Sequence, residues 1–327
     1  MLDIEDFDAV FPNKLAYSHA LSQEIIHCRK TLGGRSFFER LLELLQIKWR
    51  KAYPPSHDGL RDLHERIVKA PIALHYKHCL LLYLLKDLSP IYRDQTDIEL
   101  ASSFARNVHL EKKFWTFIEG LWSLDHLQFD TAVNHLTHPS IIPTFPDEIM
   151  LVLLNHRKEQ TGPNNGDVLP LAYYNCANPP LASQEVKTEF IRYMAERNVT
   201  ETLYWIRARP EYEHRQLLEA FVEETLERSQ WARSHSNEQG YPREEMVAEF
   251  VGLPFTDEEE TWLEGFLTEG KGRNFKNAAD TLTMRRIATG RLAEVARDAT
   301  VKGRRIEGVN WDILRDGVGR GLGPRKD

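Results

Sequence analysis

Cysteine is scarce in this 327-residue chain: Cys28, Cys79 and Cys176 stand far apart, with no CxxC pair among them. That excludes a disulfide framework and a cysteine-built zinc finger, and it fits buried free thiols in a reducing compartment. Long apolar runs are missing too. The longest, CLLLYLL from Cys79 to Leu85, falls well short of the ~20 residues that a membrane-spanning helix needs. The opening residues, MLDIEDFDAVF, are acidic where a signal peptide is basic and then apolar, so an intracellular protein is expected. No segment alternates apolar and polar side chains over the length of a strand. No serine sits in a GxSxG turn. GVGRGLG (Gly317 to Gly323) lacks both the GxGxxG spacing and the Lys-Ser/Thr pair of a phosphate loop.

What the chain does contain is helical periodicity. In SFFERLLELLQIKW, Phe38, Leu41, Leu42, Leu45 and Trp49 share one helix face. Ser36 with Glu39 predicts a capping box at its start, as do Thr96 with Glu99 and Thr256 with Glu259. Further helices are predicted over Pro71–Leu88, Leu110–Leu124, Tyr212–Trp231 and Glu259–Thr268, with Pro90, Pro139 and Pro210 each stopping an apolar pattern. Turn residues suggest breaks near 157–170 and 234–242. Three stretches align without gaps: LDHLQFDTAVNHL, MAERNVTETLYWI and IATGRLAEVARDA. Each reads as a helix end, a tight turn and a new amphipathic helix, recurring at intervals of 70 and 93 residues. The expected fold class is all-α, with irregular helical hairpins stacked in an elongated, α-solenoid-like array.

His75 with His78 and His135 with His138 lie three apart, but no third or fourth ligand accompanies either pair. HERIV at His64 begins like HExxH, yet Val68 stands where the second histidine belongs. The acids Asp257 to Glu260 follow Thr256 at a helix start, where negative charge complements the helix dipole. No catalytic residue, metal ligand or cofactor site is expected, nor a small-molecule substrate. From Lys271 onward there are 14 Lys and Arg against 7 Asp and Glu, although the whole chain carries −7. Arg285, Arg286, Arg291, Lys302, Arg304 and Arg305 are therefore candidate phosphate contacts for DNA or chromatin. RGLGPRK (Arg320 to Lys326) has Leu322 where a minor-groove arm wants a second arginine. Residues 303–327 read as a flexible basic tail.

Two long blocks carry a family resemblance. FIEGLWSLDHLQFDTAVNHLTHPSI (Phe117 to Ile141) with FPDEIM (Phe145 to Met150) resembles the ELYS-like, nuclear-pore-assembly family. The matching positions are Gly120, Leu121, Trp122, Leu124, Asp125, His126, His138, Pro139, Phe145, Pro146, Asp147 and Glu148. The second block, LPFTDEEETWLEGFLTEGKGRNFKNAADTLTMRRIATGRLAE, is similar to the short fungal-type members through Trp262, Gly272, Arg273, Asn274, Ala278, Asp280, Met284, Arg285, Arg286, Gly290 and Arg291. The resemblance runs from about Ile72 to Arg297.

The resemblance implies a helical domain over 1–302 and a structural nucleoporin, not an enzyme. It would be attached to the Y-shaped coat complex of the nuclear pore and support pore assembly and nucleocytoplasmic transport. Implied partners are scaffold nucleoporins of the coat's short arm, including a separate β-propeller protein, and the implied location is the nuclear envelope. Trp262, Arg273, Arg285 and Arg286 are the candidate partner contacts, because interface energy concentrates in buried aromatic and Arg anchors. The alternatives are a helical-repeat adaptor that binds peptides in a groove, and a DNA- or chromatin-binding module acting through the basic end.

Overall fold

The computed structural model describes residues 2–12, 15–49, 53–93, 99–159, 168–231, 243–275 and 277–297, with 310, 312, 313, 316, 317 and 320. Among these residues the regular structure is helical throughout, with no strand. The chain divides into two compact units, residues 1–181 and 182–327.

In the first unit the helices are α1 (Phe7–Val10), α2 (His19–Thr31), α3 (Phe37–Leu44), α4 (His57–Lys69), α5 (Leu74–Arg93), α6 (Leu100–Asn107), α7 (Lys112–Asp125), α8 (Phe129–Leu136), α9 (Pro146–Glu159) and α10 (Leu169–Ala177). The run Leu80 to Leu85 on α5 is fully buried. A helix apolar on every side must be enclosed by others, and α5 packs against α3, α4, α6 and α7. The N-terminal arm is tied down as well. Phe7 and Phe11 set their rings edge-on to His64, whose Nε2 lies 2.9 Å from the Ile4 carbonyl. His64 therefore has a packing role on α4.

The second unit holds α11 (Gln184–Ala195), α12 (Val199–Arg207), α13 (Glu211–Trp231), α14 (Arg243–Gly252), α15 (Asp257–Thr268), a 3-10 turn at Lys271–Asn274, α16 (Ala278–Ala288) and α17 (Leu292–Arg297). α13 packs on α11, α12, α14 and α15, while α16 packs on α14, α15 and α17.

All three aligned stretches are helical hairpins: α7–α8, α11–α12 and α16–α17. They reverse direction differently at the shared turn position. Leu127 (φ 57°) and Gly290 (φ 76°) enter the left-handed region. In the middle hairpin Asn198 instead caps the new helix by accepting from Glu201 N–H. The capping boxes at Ser36/Glu39 and Thr256/Glu259 are both formed. Thr96 of the third expected box lies outside the described residues, and α6 begins at Leu100 with Glu99 in the cap position.

Other boundaries depart from expectation for identifiable reasons. α3 ends at Leu44, because Gln46 takes φ 58° and leaves Trp49 beyond the helix. Pro90 does not stop α5, which continues to Arg93. It falls in the last turn, where its ring removes a single intrahelical bond, the one its N–H would make to the Lys86 carbonyl, and Ser89 Oγ donates back to the Leu85 carbonyl at 2.7 Å. The division of the chain follows Leu181, past the expected break at 157–170, because α10 packs back on α8 and α9. The expected break near 234–242 lies outside the described residues, and α13 and α14 on either side contact each other within one unit. Of the expected tail, Arg304, Arg305 and most neighbours lie outside the described residues.

The α7–α8 hairpin is closed tightly at Gly120, where an added Cβ would lie 2.6 Å from Leu136 Cγ. Gly120→Ala is expected to destabilise the protein by about 1–3 kcal/mol through overpacking, measured by denaturant unfolding. An unchanged midpoint would show that the hairpin opens freely.

Candidate functional site

The family-type residues of the first block converge on two buried carboxylates. Asp125 ends α7, yet its side chain serves α3. Oδ1 accepts from Phe37 N–H at 2.7 Å and Oδ2 from Phe38 N–H at 3.0 Å. Tyr83 Oη, on α5, donates to Oδ2 at 2.6 Å. The next N–H of α3, on Glu39, is taken by Ser36 Oγ at 3.1 Å. Every early amide of α3 is thereby satisfied, as burial of a helix start demands. Arg29 of α2 then clamps Glu39 through two bonds of 2.8 and 3.0 Å.

Asp87, on α5, is the second carboxylate. Trp122 Nε1 donates to its Oδ1 at 2.7 Å, and Tyr17 Oη to its Oδ2 at 2.9 Å. Tyr53 Oη donates to Oδ2 as well. His126 stacks on Trp122 with ring centres 3.9 Å apart and places Nε2 3.5 Å from Oδ1. Burial pushes the Asp125 carboxyl up to about 7 against the opposing pull of its three donors, and burial raises Asp87 in the same way. Burial also holds the Tyr17, Tyr53 and Tyr83 hydroxyls well above their usual range, so all three remain donors.

In the second unit the counterpart is a cation. Arg285 of α16 is 1% exposed. Its Nη1 donates to the Phe250 and Val251 carbonyls at 3.1 and 2.8 Å, and Nη2 to the Leu253 carbonyl at 2.6 Å. Nε and Nη2 also hold Glu260 of α15, at 3.0 and 2.7 Å. Phe255 lies under the guanidinium, 4.0 Å from ring centre to Cζ. These carbonyls belong to the open C-terminus of α14, where positive charge is favoured. Nearby, Arg207 grips Glu259 at 2.9 and 2.6 Å and reaches the Pro254 carbonyl at 2.7 Å. Arg291 pairs with Glu260 and Glu264 at 3.3 and 2.9 Å. The acids of α15 thus do more than complement its dipole: they fasten α12 and α16 to it.

The other sequence candidates scatter. Trp262 is half-buried on α15. Arg273 is exposed on the 3-10 turn and meets no carboxylate among the described residues. Arg286 has a side chain 20% exposed and pairs with Glu264 at 3.4 Å. Arg285 is corrected outright: a contact residue must be exposed, and this one is engaged inside the unit. Arg285, Arg286 and Arg291 are likewise held by carboxylates and are not free to meet phosphates as the DNA reading wanted. Among the described residues no three His, Cys, Asp or Glu are grouped to hold a metal. The residues that sequence reasoning missed are Asp87 and the tyrosines around it. One signal was available, a charge interrupting an apolar stripe, as in LLKDL around Asp87.

Fold and site together define an all-helical protein of stacked hairpins, whose distinctive charged residues face inward and fasten helices to one another. Residues 35–270 match the family described as ELYS: nuclear pore complex assembly, and the chain belongs to that family. It is also 31% identical over 170 residues to a Schizosaccharomyces pombe protein named "Uncharacterized protein ely5". That match covers 48% of this chain and 54% of the relative, so it spans about half of that protein's length.

Two predictions follow from the buried groups. Arg285→Ala is expected to cost about 3–5 kcal/mol of stability, because it takes the donor from the Val251 carbonyl, one of two donors from the Phe250 and Leu253 carbonyls, and leaves Glu260 to Arg291 alone. Arg285→Lys, with fewer donors, should fall between; equal stability of all three proteins in urea would refute the assignment. For Asp125, the folded chain keeps its proton to about pH 7 and the unfolded chain only to about 4. The folded state binds the extra proton between those values, so this group's contribution is greatest at low pH and declines as pH rises toward 7. The gap in melting temperature between the unaltered protein and Asp125→Asn should therefore narrow from pH 5 to pH 8. A gap that widens would show the carboxylate ionised in the fold.

Proposed function

We propose that this chain is a structural nucleoporin: a non-enzymatic, α-helical subunit attached to the Y-shaped coat of the nuclear pore, supporting pore assembly and transport through it. The observation that supports this reading is the family match over 35–270, which takes in the whole of the first block and the second as far as Gly270. The inward use of the matching residues agrees with it. Asp125, Trp122 and Arg285 position helices and leave their outer faces to make contacts.

Under this reading the partners are scaffold nucleoporins of the coat's short arm, including a β-propeller protein, and the location is the nuclear envelope. Arg273 is the proposed contact of the second block, with the exposed part of Trp262 and Arg286 beside it in the sequence pattern. A fluorescently tagged chain should mark the nuclear rim in puncta, and affinity purification should return coat nucleoporins. Arg273→Glu should reduce that recovery while leaving the unfolding midpoint unchanged. A diffuse cytosolic signal, with no coat protein recovered, rejects the proposal.

A further inference from the structure

Where the first turns of α5 and α7 meet, the first unit leaves apolar surface in water. Leu74 is 50% exposed and Tyr76 is 41% exposed. His75 packs between two rings, 4.1 Å from Tyr76 and 4.6 Å from Phe114 of α7, stacking on the latter at 23°. Tyr76 in turn meets Phe114 edge-on at 6.3 Å. The result is one continuous aromatic patch contributed by two helices. Single exposed apolar residues are ordinary, but a contiguous group rimmed by polar ones marks a contact surface.

The rim indicates what covers it. Neither α5 nor α7 carries an acid in its first turn, and the cap residue of α7, Glu111, makes no side-chain capping bond. Lys112 and Lys113 occupy the first turn of α7, where the helix dipole already disfavours cations. By contrast α9 opens with Asp147 and Glu148, and α15 with four acids. Lys113 Nζ stands 4.9 Å above the Phe114 ring. The only acid facing these lysines among the described residues is Glu111, bonded to Lys113 at 2.8 Å with both side chains largely in solvent, a pairing of small energetic weight. In a chain of net charge −7, this end is both positive and apolar.

We infer that the patch formed by Leu74, His75, Tyr76 and Phe114, with Lys112 and Lys113 at its rim, docks an acidic segment bearing an apolar anchor from a neighbouring nucleoporin. The inference rests on the pore-scaffold reading and adds to it a surface and a partner chemistry. The anchor would lie on the Tyr76–Phe114 rings, and its flanking carboxylates would meet the lysines and the open amides of α7.

The test uses the full-length chain on an array of overlapping peptides tiling the scaffold nucleoporins of the coat's short arm. Bound peptides should be rich in Asp and Glu around a Leu, Phe or Tyr, and binding should weaken as salt is raised. Tyr76→Ser should lower affinity about tenfold, as loss of an aromatic anchor does. Lys112→Glu with Lys113→Glu should abolish binding while the circular dichroism stays unchanged and the unfolding midpoint does not fall. Equal binding by the unaltered and substituted proteins overturns the inference. So does a preference for basic or neutral peptides, or self-association of the chain that Tyr76→Ser removes. A tagged chain that reaches the nuclear rim yet is indifferent to these substitutions sinks this inference alone; absence from the rim sinks the reading beneath it.

Discussion

The carboxylate of Asp125 closes the start of a helix that lies 88 residues earlier in the chain. Much of the first unit depends on that bond. A helix start buried without partners leaves several amides unpaired, each costing on the order of 1–3 kcal/mol. α3 can be buried only where a carboxylate waits for it, and only one placement of α7 supplies one. Tyr83 adds α5 to the same carboxylate, and Asp87 adds Tyr17, Tyr53 and Trp122 one turn away. Hydrophobic burial brings these helices together without direction; the two acids fix how far each slides along its neighbour.

The second unit solves the opposite problem with the opposite charge. There the last carbonyls of α14 have acceptor capacity that the local backbone does not fill, and Arg285 fills it from α16 while Glu260 neutralises the guanidinium from α15. Acceptors at a helix start and donors at a helix end are what the unpaired groups of each terminus require. Neither node needs to add much net stability, since a buried charge pair is often matched by a well-packed apolar core of equal volume. Their value lies in register: a displaced helix would strand a charge, whereas a displaced leucine finds another leucine.

This explains what was legible in the sequence and what was not. The hairpins, the two formed capping boxes and the spans of α7, α13 and α15 follow from local patterns of three to eleven residues, and those patterns dominate when a helix has one wet face. α5 obscured its own ends, because a helix buried all round has no stripe and Pro90 at its last turn reads as a stop. Asp87, Asp125 and Arg285 stood in plain view as charges set into apolar stripes, but their partners lie 25 to 88 residues away. No local spacing announces such a pairing. The division after Leu181 was hidden for the same reason, since α10 is assigned by what it packs on and not by the loop that precedes it.

The same geometry separates what identifies the family from what selects a partner. Gly120 admits Leu136, Trp122 and Asp125 bond inward, and Arg285 is enclosed, so the residues that make the blocks recognisable are those the fold cannot exchange cheaply. Under the readings proposed above, a partner would meet other positions: Arg273 on its turn, or Tyr76 and Lys112 at the end of two helices. Substituting an inward residue would abolish binding only by loosening the stack, and would say nothing of the interface. Surface positions can be exchanged without loosening the interior, because no buried donor or carbonyl depends on them. Under those proposals, recognition falls to exposed residues that no buried hydrogen bond holds in place.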